Sequence, residues 1–205
     1  EVTELNDDIK NAISKYKIGG VILFAENVRD TEQTTKLTHN IQKAAIESGL
    51  DPLLISIDQE GGIVVRLGTG TSLPGNMALG ASRDKKLAYE YGKIIAEEIK
   101  ALGINVNLAP VMDTNNNPNN PVIGLRSISS DPNLVGELGS EVVKGLQDNG
   151  VSAAIKHFPG HGDTATDSHL GLPVVDKSYE EVKNLELIPF DKAAKEGVDM
   201  IMTAH

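Results

Sequence analysis

The chain has 205 residues, 40% of them hydrophobic, which is typical of one globular domain rather than of a disordered or fibrous protein. Its formal net charge is −10 and no stretch of Lys and Arg forms a basic surface, so neither nucleic acid nor an anionic membrane surface is an expected partner. Cysteine is absent, which excludes a disulfide framework, a thiolate metal site and a cysteine nucleophile. No apolar run reaches the roughly 18–20 residues of a membrane-spanning helix.

Amphipathic helices alternate with short apolar strands along the chain. Apolar residues at a helical spacing predict helices around residues 9–16, 31–48 and 87–102, and Asp131 followed by Pro132 marks the start of another. Strands follow the helices and are predicted within residues 17–24, 53–57, 101–108, 148–155 and 195–202. A glycine stands near the helix end before four of these strands, where we expect a left-handed backbone conformation.

Near-continuous apolar strands that alternate with helices predict an α/β fold with a parallel sheet, either doubly wound or closed as a β/α barrel. Polar residues after the strands favour the barrel, because a (β/α)₈ TIM barrel carries its active site at the carboxyl ends of its strands. These residues are Glu26, Asn27, Asp58, Gln59, Glu60, Asp113, Lys156, His157 and His205. The turn after the first strand also lacks the glycines of a nucleotide-binding fold. Five strands cannot close such a barrel, so residues 1–205 are expected to be a partial barrel domain, truncated at both ends.

The stretch 156–173 holds one Lys, three His and two Asp. Asp167 and His169 lie two residues apart and can form an oriented imidazole that exchanges a proton with a substrate. A structural hydrogen-bonded pair explains them equally well. His161 lies in Pro-Gly-His-Gly, where a hydrogen bond that orders the loop is the expected role.

Lys156 and His157 stand where the fourth strand enters this loop. A Lys at this point supplies a fixed positive charge and donors for substrate hydroxyls, and the alternative is a buried salt bridge with an Asp at the end of a neighbouring strand. Asp58 stands at a strand end before a glycine pair, and a carboxylate there can accept hydrogen bonds from adjacent sugar hydroxyls. A plain turn with solvated charges explains Gln59 and Glu60 equally well.

Four more polar residues are placed to reach the same edge of the sheet. Arg66 follows a few residues after Asp58, and Asp113 ends the third strand. Arg126 ends the long Asn-rich loop that comes next, and His205 follows the fifth strand. Asp113 and His205 are therefore additional candidate site residues.

Two motifs resemble those of the glycoside hydrolase family 3 β-N-acetylglucosaminidases, enzymes that trim cell-wall muropeptides and related glycans. They are Ile-Asp-Gln-Glu-Gly-Gly at 57–62 and Lys-His-Phe-Pro-Gly-His-Gly-Asp at 156–163 with Asp-Ser-His downstream. The resemblance runs over essentially the whole chain and implies that its strands are the second to sixth of the barrel. It implies a retaining exo-glycosidase that releases terminal β-linked N-acetylglucosamine and needs no metal ion or cofactor. His169, oriented by Asp167, would be its acid/base. The sugar-binding positions would be Asp58, Arg66, Arg126, Lys156 and His157.

The nucleophile of the family is an Asp in a Val-Ser/Thr-Asp motif after the seventh strand, and no such motif occurs before His205. We therefore expect the nucleophile beyond residue 205. Ile63 stands where Arg frequently follows the glycine pair, which resembles the Gram-positive members of the family. This resemblance favours an extracellular or cell-wall location over a cytoplasmic one.

Other functions stay open at the level of the sequence. A metal-dependent hydrolase could use ligands from the set His157, His161, Asp163, His169 and His205. Without a nucleophile, the chain could also be a non-catalytic sugar-binding fragment. Within carbohydrate chemistry the alternatives are a β-glucosidase and a glycoside phosphorylase, because a neutral His repels a phosphate acceptor less than a carboxylate does.

Overall fold

Five parallel strands form one sheet. They are Gly20–Leu23 (β1), Leu54–Ile57 (β2), Val106–Asn107 (β3), Ser152–Phe158 (β4) and Met200–Thr203 (β5), and they lie side by side in this order. The structure is a computed structural model that describes residues 2–164 and 176–204. Sequential parallel neighbours are the arrangement of a β/α barrel, whereas a doubly wound sheet reverses its strand order at a switch point. The predicted incomplete barrel is therefore confirmed.

Helices connect the strands and cover one side of the sheet. The helices of the described residues are Asp7–Tyr16 (α1), Thr31–Glu47 (α2), Asn76–Ser82 (α3), Lys85–Ala101 (α4), Pro132–Asp148 (α5), Tyr179–Asn184 (α6) and Leu187–Lys195 (α7). The Asp131 side chain accepts a hydrogen bond from the Asn133 N–H at the start of α5, as its N-cap position predicts. Helices α3 and α6 were not predicted, because six or seven residues are too few to display a helical period.

The left-handed residues at the helix ends agree with the prediction in three cases. Gly103, Gly150 and Gly197 have φ values of 78°, 81° and 88°. In the first segment the prediction is wrong, because α1 ends earlier and the left-handed residue is Lys17, with a φ of 54°. Gly20 instead lies within β1, where an added Cβ would come 2.5 Å from the Leu54 carbonyl oxygen. Close packing against β2 therefore requires this glycine.

Strand β4 extends further than predicted. It continues to Phe158, so Lys156 and His157 belong to its last residues and not to the following loop. The Met112 N–H donates to the Lys156 carbonyl oxygen (2.7 Å), which ties the end of β4 to the segment after β3. Both side chains therefore project from backbone that is fixed by the sheet.

The hydrophobic core lies between the sheet and the helices. Ile55 and Ile57 of β2 are fully buried on the side that the helices cover, and Leu54, which alternates with them, is 48% exposed on the opposite face. Helices α4 and α5 pack at very short range, because a Cβ on Gly92 would come 2.2 Å from the backbone of α5. Within the described part of the chain, every helix is too short or too polar to cross a membrane.

Candidate active site

Polar side chains from three strands and a loop meet at the carboxyl edge of the sheet. Asp58 directly follows β2, Lys156 and His157 lie just before the end of β4, and Asp113 follows the short β3. Arg126 comes from a 3₁₀ helix at Gly124–Arg126 in the long loop after β3. The structure thus brings together five residues that the sequence placed at strand ends or in the loops between them.

Lys156 lies at the centre of this cluster and is 2% exposed. Its Nζ contacts Asp58 Oδ1 at 2.5 Å and Glu60 Oε1 at 2.8 Å. The buried salt bridge with a neighbouring strand-end Asp, foreseen as the alternative role of Lys156, is therefore present. An ammonium group has three N–H donors, so the two carboxylates leave one of them for a further acceptor.

Glu60 was named among the polar residues at the strand ends but not as a site residue, because a plain turn with solvated charges explained it equally well. The structure rules out the solvated turn, because the Glu60 side chain is 1% exposed. Its two carboxylate oxygens accept parallel hydrogen bonds from Arg126, Nε to Oε2 at 2.9 Å and Nη2 to Oε1 at 2.8 Å. Burial alone would raise the pKa of Glu60, but the hydrogen bonds from Arg126 and the charge of Lys156 outweigh burial and lower it. Glu60 is therefore held as a carboxylate between two cations.

The neighbouring Gln59 is also buried rather than solvated. Its Oε1 accepts the backbone N–H groups of Arg66 and Leu67, both at 3.0 Å, and its own N–H donates to Asn107 Oδ1 at 3.1 Å. Gln59 therefore folds the loop after β2 back onto β3. The signal in the sequence was its position, since it and Glu60 follow the strand-end Asp58 at once and precede a glycine pair.

Asp113 orients His157. Asp113 is fully buried, and its Oδ2 accepts a hydrogen bond from His157 Nδ1 at 2.6 Å. Its Oδ1 accepts the backbone N–H groups of His157 (3.2 Å) and His161 (2.7 Å). Because an ionised carboxylate only accepts, the proton of a neutral imidazole is assigned to Nδ1, which leaves Nε2 as an acceptor that lies 3.5 Å from Arg126 Nη2. His161 bonds Thr164 Oγ1 through Nδ1 at 2.8 Å, which agrees with its predicted loop-ordering role.

Several polar atoms of the cluster make no hydrogen bond to a described residue. On the loop that Gln59 holds, Arg66 Nε is likewise buried without such a partner. Asp58 is 15% exposed, and only its Oδ1 is engaged, by Lys156. One N–H of Arg126 Nη1 is also unused, because Nη1 makes a single bond, to the Val122 carbonyl oxygen at 3.3 Å. The arrangement can therefore offer one carboxylate acceptor and several cationic donors to a ligand with neighbouring hydroxyl groups.

The remaining predicted site residues lie outside the described residues. They are Asp167, His169 and His205. Asp163 and Lys177 lie among the described residues on either side of this segment. The Lys177 Nζ and Asp163 Oδ2 atoms form an ion pair at 2.6 Å. Lys177 also contacts the buried Glu186.

The described residues give no support to the alternative hypothesis of a metal-dependent hydrolase. Across residues 2–164 and 176–204, no three His, Asp or Glu side chains are grouped to hold a metal ion. Asp163, one of the five residues that this reading invoked, is paired with Lys177 instead. Two others, His169 and His205, lie outside the described residues.

A parallel sheet in barrel order, with carboxylates, cations and an oriented imidazole at the carboxyl ends of its strands, defines a β/α-barrel domain with its ligand site in the usual place. The family model "Glycosyl hydrolase family 3 N terminal domain" matches residues 1–205. The chain therefore belongs to glycosyl hydrolase family 3, and the family named from its motifs is confirmed.

Known proteins resemble the chain over its full length. It is 48% identical over 211 aligned residues to β-hexosaminidase A of Pseudoalteromonas piscicida, which covers 100% of this chain and 35% of that relative. The solved structure of a glycoside hydrolase family 3 β-N-acetylglucosaminidase from Paenibacillus sp. str. FPU-7 superimposes with a TM-score of 0.97 at 53% identity, covering 99% of this chain and 39% of that one. NagZ from Neisseria gonorrhoeae, solved in complex with N-trifluoroacetyl-D-glucosamine, superimposes with a TM-score of 0.92 at 35% identity and covers 100% of this chain and 61% of that one. The chain thus spans between about a third and three fifths of the length of these relatives.

Proposed function

We propose that the protein carrying this chain is a retaining exo-glycosidase that hydrolyses terminal β-linked N-acetylglucosamine, from muropeptides or related glycans. The observation that carries the proposal is a set of donors and acceptors at the strand ends that make no hydrogen bond to a described residue: Asp58 Oδ2 as an acceptor, and N–H groups of Lys156 and Arg126 as donors. Vicinal sugar hydroxyls both donate and accept, so this set suits them.

A buried ion pair and a buried hydrogen bond make the sugar site rigid before a ligand arrives. Glu60 fixes the guanidinium plane of Arg126, and Asp113 fixes the ring of His157. Groups that are already oriented lose little conformational entropy on binding and reproduce the same geometry in the transition state. The two buried acids therefore act through their basic partners rather than on the sugar.

The chemical step is assigned to residues that the family resemblance supplies. His169, oriented by Asp167, protonates the leaving glycosidic oxygen and later activates water, and an Asp beyond residue 205 forms the glycosyl-enzyme intermediate. Selectivity for the acetamido sugar draws support from the relatives, one of which was solved with N-trifluoroacetyl-D-glucosamine and others of which are named β-hexosaminidase.

The role of His169 is tested by leaving-group dependence in the intact protein. His169→Ala should slow the release of poor leaving groups such as alkyl alcohols far more than that of 2,4-dinitrophenol, because a good leaving group departs without a proton. A typical general acid contributes about 10²–10⁴-fold, which sets the expected loss for the poor leaving groups. Equal losses on both substrate classes would contradict the assignment of His169 as the acid.

A further inference from the structure

A groove opens beside the polar cluster and shares Glu60 and Arg126 with it. It has a volume of about 360 Å³ and lies between the turn after β2 and the first turn of α3, with the 3₁₀ helix of Gly124–Arg126 as its other wall. Its main lining residues are Gly62, Ile63, Gly75, Met77, Leu125 and Arg126. We refer to it as the Ile63 groove.

The Ile63 groove owes its form to a close backbone contact. Gly62 has a φ of 59°, and an added Cβ would come 2.9 Å from the Gly75 Cα, so the two backbones meet without side chains between them. Ile63 and Leu125 stand at the rim and are 70% and 60% exposed. Such exposure is unfavourable for aliphatic side chains in water, so the rim gains from a partner with an apolar surface.

The groove is continuous with the polar cluster and carries no unbalanced charge. Glu60 and Arg126 line it and also belong to the cluster, and their parallel hydrogen bonds of 2.9 and 2.8 Å neutralise one another. The other side chains of its walls are apolar, apart from Asn76, whose Nδ2 donates to the Arg126 carbonyl oxygen at 2.8 Å. The Ile63 groove therefore offers a ligand in the polar cluster an adjoining surface that is uncharged and mostly apolar.

We propose that the Ile63 groove is the subsite for the aglycone and that it selects uncharged aglycones with an apolar face, such as an N-acetylhexosamine ring or an aryl group. This inference rests on the proposed glycosidase function. Ile63 is then a specificity-determining residue: it contributes apolar contact but no charge with which to hold an anionic aglycone.

The test uses the intact protein and two aryl N-acetyl-β-glucosaminides that differ only in a carboxamide or a carboxylate on the ring. Ile63→Arg should raise kcat/KM for the carboxylate substrate about two- to fivefold relative to the carboxamide substrate, the range that an exposed ion pair supports. The gain should fall away in 0.5 M NaCl, because salt screens exposed charges. Leu125→Arg, on the opposite rim, should act in the same direction.

Ile46→Arg is the matched control, since Ile46 is 55% exposed on α2, away from the groove, and the substitution adds the same charge. An unchanged substrate ratio in Ile63→Arg, or the same shift in the control, would overturn the proposal. The proposal would also be overturned if Ile63→Arg lowered kcat/KM equally for both aglycones and changed the preference for the acetamido sugar over glucose. The groove would then hold the acetamido group of the terminal sugar. Wild-type protein that hydrolyses neither substrate would refute the proposed function itself.

Discussion

Replacing Glu60 by Gln removes one negative charge from the most buried ion cluster of the sheet edge while keeping the size of the side chain. The Glu60 carboxylate is 1% exposed, accepts two charge-assisted hydrogen bonds from Arg126 and forms an ion pair with Lys156 at 2.8 Å. The introduced amide would place an N–H group against the N–H groups of Arg126, and both cations would lose a counter-charge. Breaking a buried pair from one side costs about 3–5 kcal/mol, and because Lys156 keeps Asp58, we expect the lower end, about 3 kcal/mol.

The assay is urea unfolding at pH 7, in which about 3 kcal/mol lowers the midpoint by roughly 1–3 M at an unchanged m value. Glu137→Gln is the control, because Glu137 pairs with Lys85 at 3.3 Å with both side chains largely exposed, and this change should cost below about 1 kcal/mol. If the unfolding free energy of Glu60→Gln lies within about 1 kcal/mol of the wild-type value, the reasoning that a buried Glu60 carboxylate compensates the charges of Arg126 and Lys156 is refuted.

Three further outcomes follow from the structure. Because the folded-state pKa of Glu60 is lowered, the stabilising effect of its carboxylate is complete above about pH 4.5 and is lost as the pH falls through the folded-state pKa. The difference in unfolding free energy between wild type and Glu60→Gln should therefore narrow in acid unfolding titrations. Gly92→Ala should lower the unfolding free energy by about 1–3 kcal/mol, since its Cβ would lie 2.2 Å from an α5 carbonyl oxygen, whereas Gly68→Ala, with no atom within 4 Å, should change it by less than about 0.5 kcal/mol. Lys177→Met should cost about 3 kcal/mol by urea unfolding, because it leaves the buried Glu186 carboxylate without its cation, and a loss below about 1 kcal/mol would contradict a buried pair.

Strands and long helices could be predicted because their signals are local. A helical period, a capping residue such as Asp131 and a glycine after the helix act within a few residues of one another. Where a different residue could perform the local task, the prediction failed: Lys17 adopts the left-handed conformation that was expected of a glycine. Helix α3 was not predicted, because seven residues between loops are too few to show a helical period.

The site was predictable as a location but not as a network. The rule that strand carboxyl ends gather the functional residues of a barrel placed Asp58, Asp113 and Lys156 correctly at one edge. It could not reveal that Glu60 is buried, because its burial depends on Arg126, which is 66 residues away in the chain. Pairing across such a separation is set by tertiary packing, for which a single sequence carries no periodic signal. The roles of Asp167 and His169 stay predictions, since these residues lie outside the described part of the chain.

The measurement that tests the central claim most directly is the turnover by the intact protein of an aryl N-acetyl-β-glucosaminide beside the matching aryl β-glucoside. The account predicts hydrolysis of the acetamido sugar with a clearly higher kcat/KM than that of the glucoside. It also predicts loss of activity in a variant in which Asp58 is replaced by Asn, because Asp58 Oδ2 bonds no described residue and is the carboxylate acceptor offered to the sugar. A preference for the glucoside, or full activity of Asp58→Asn, would contradict it.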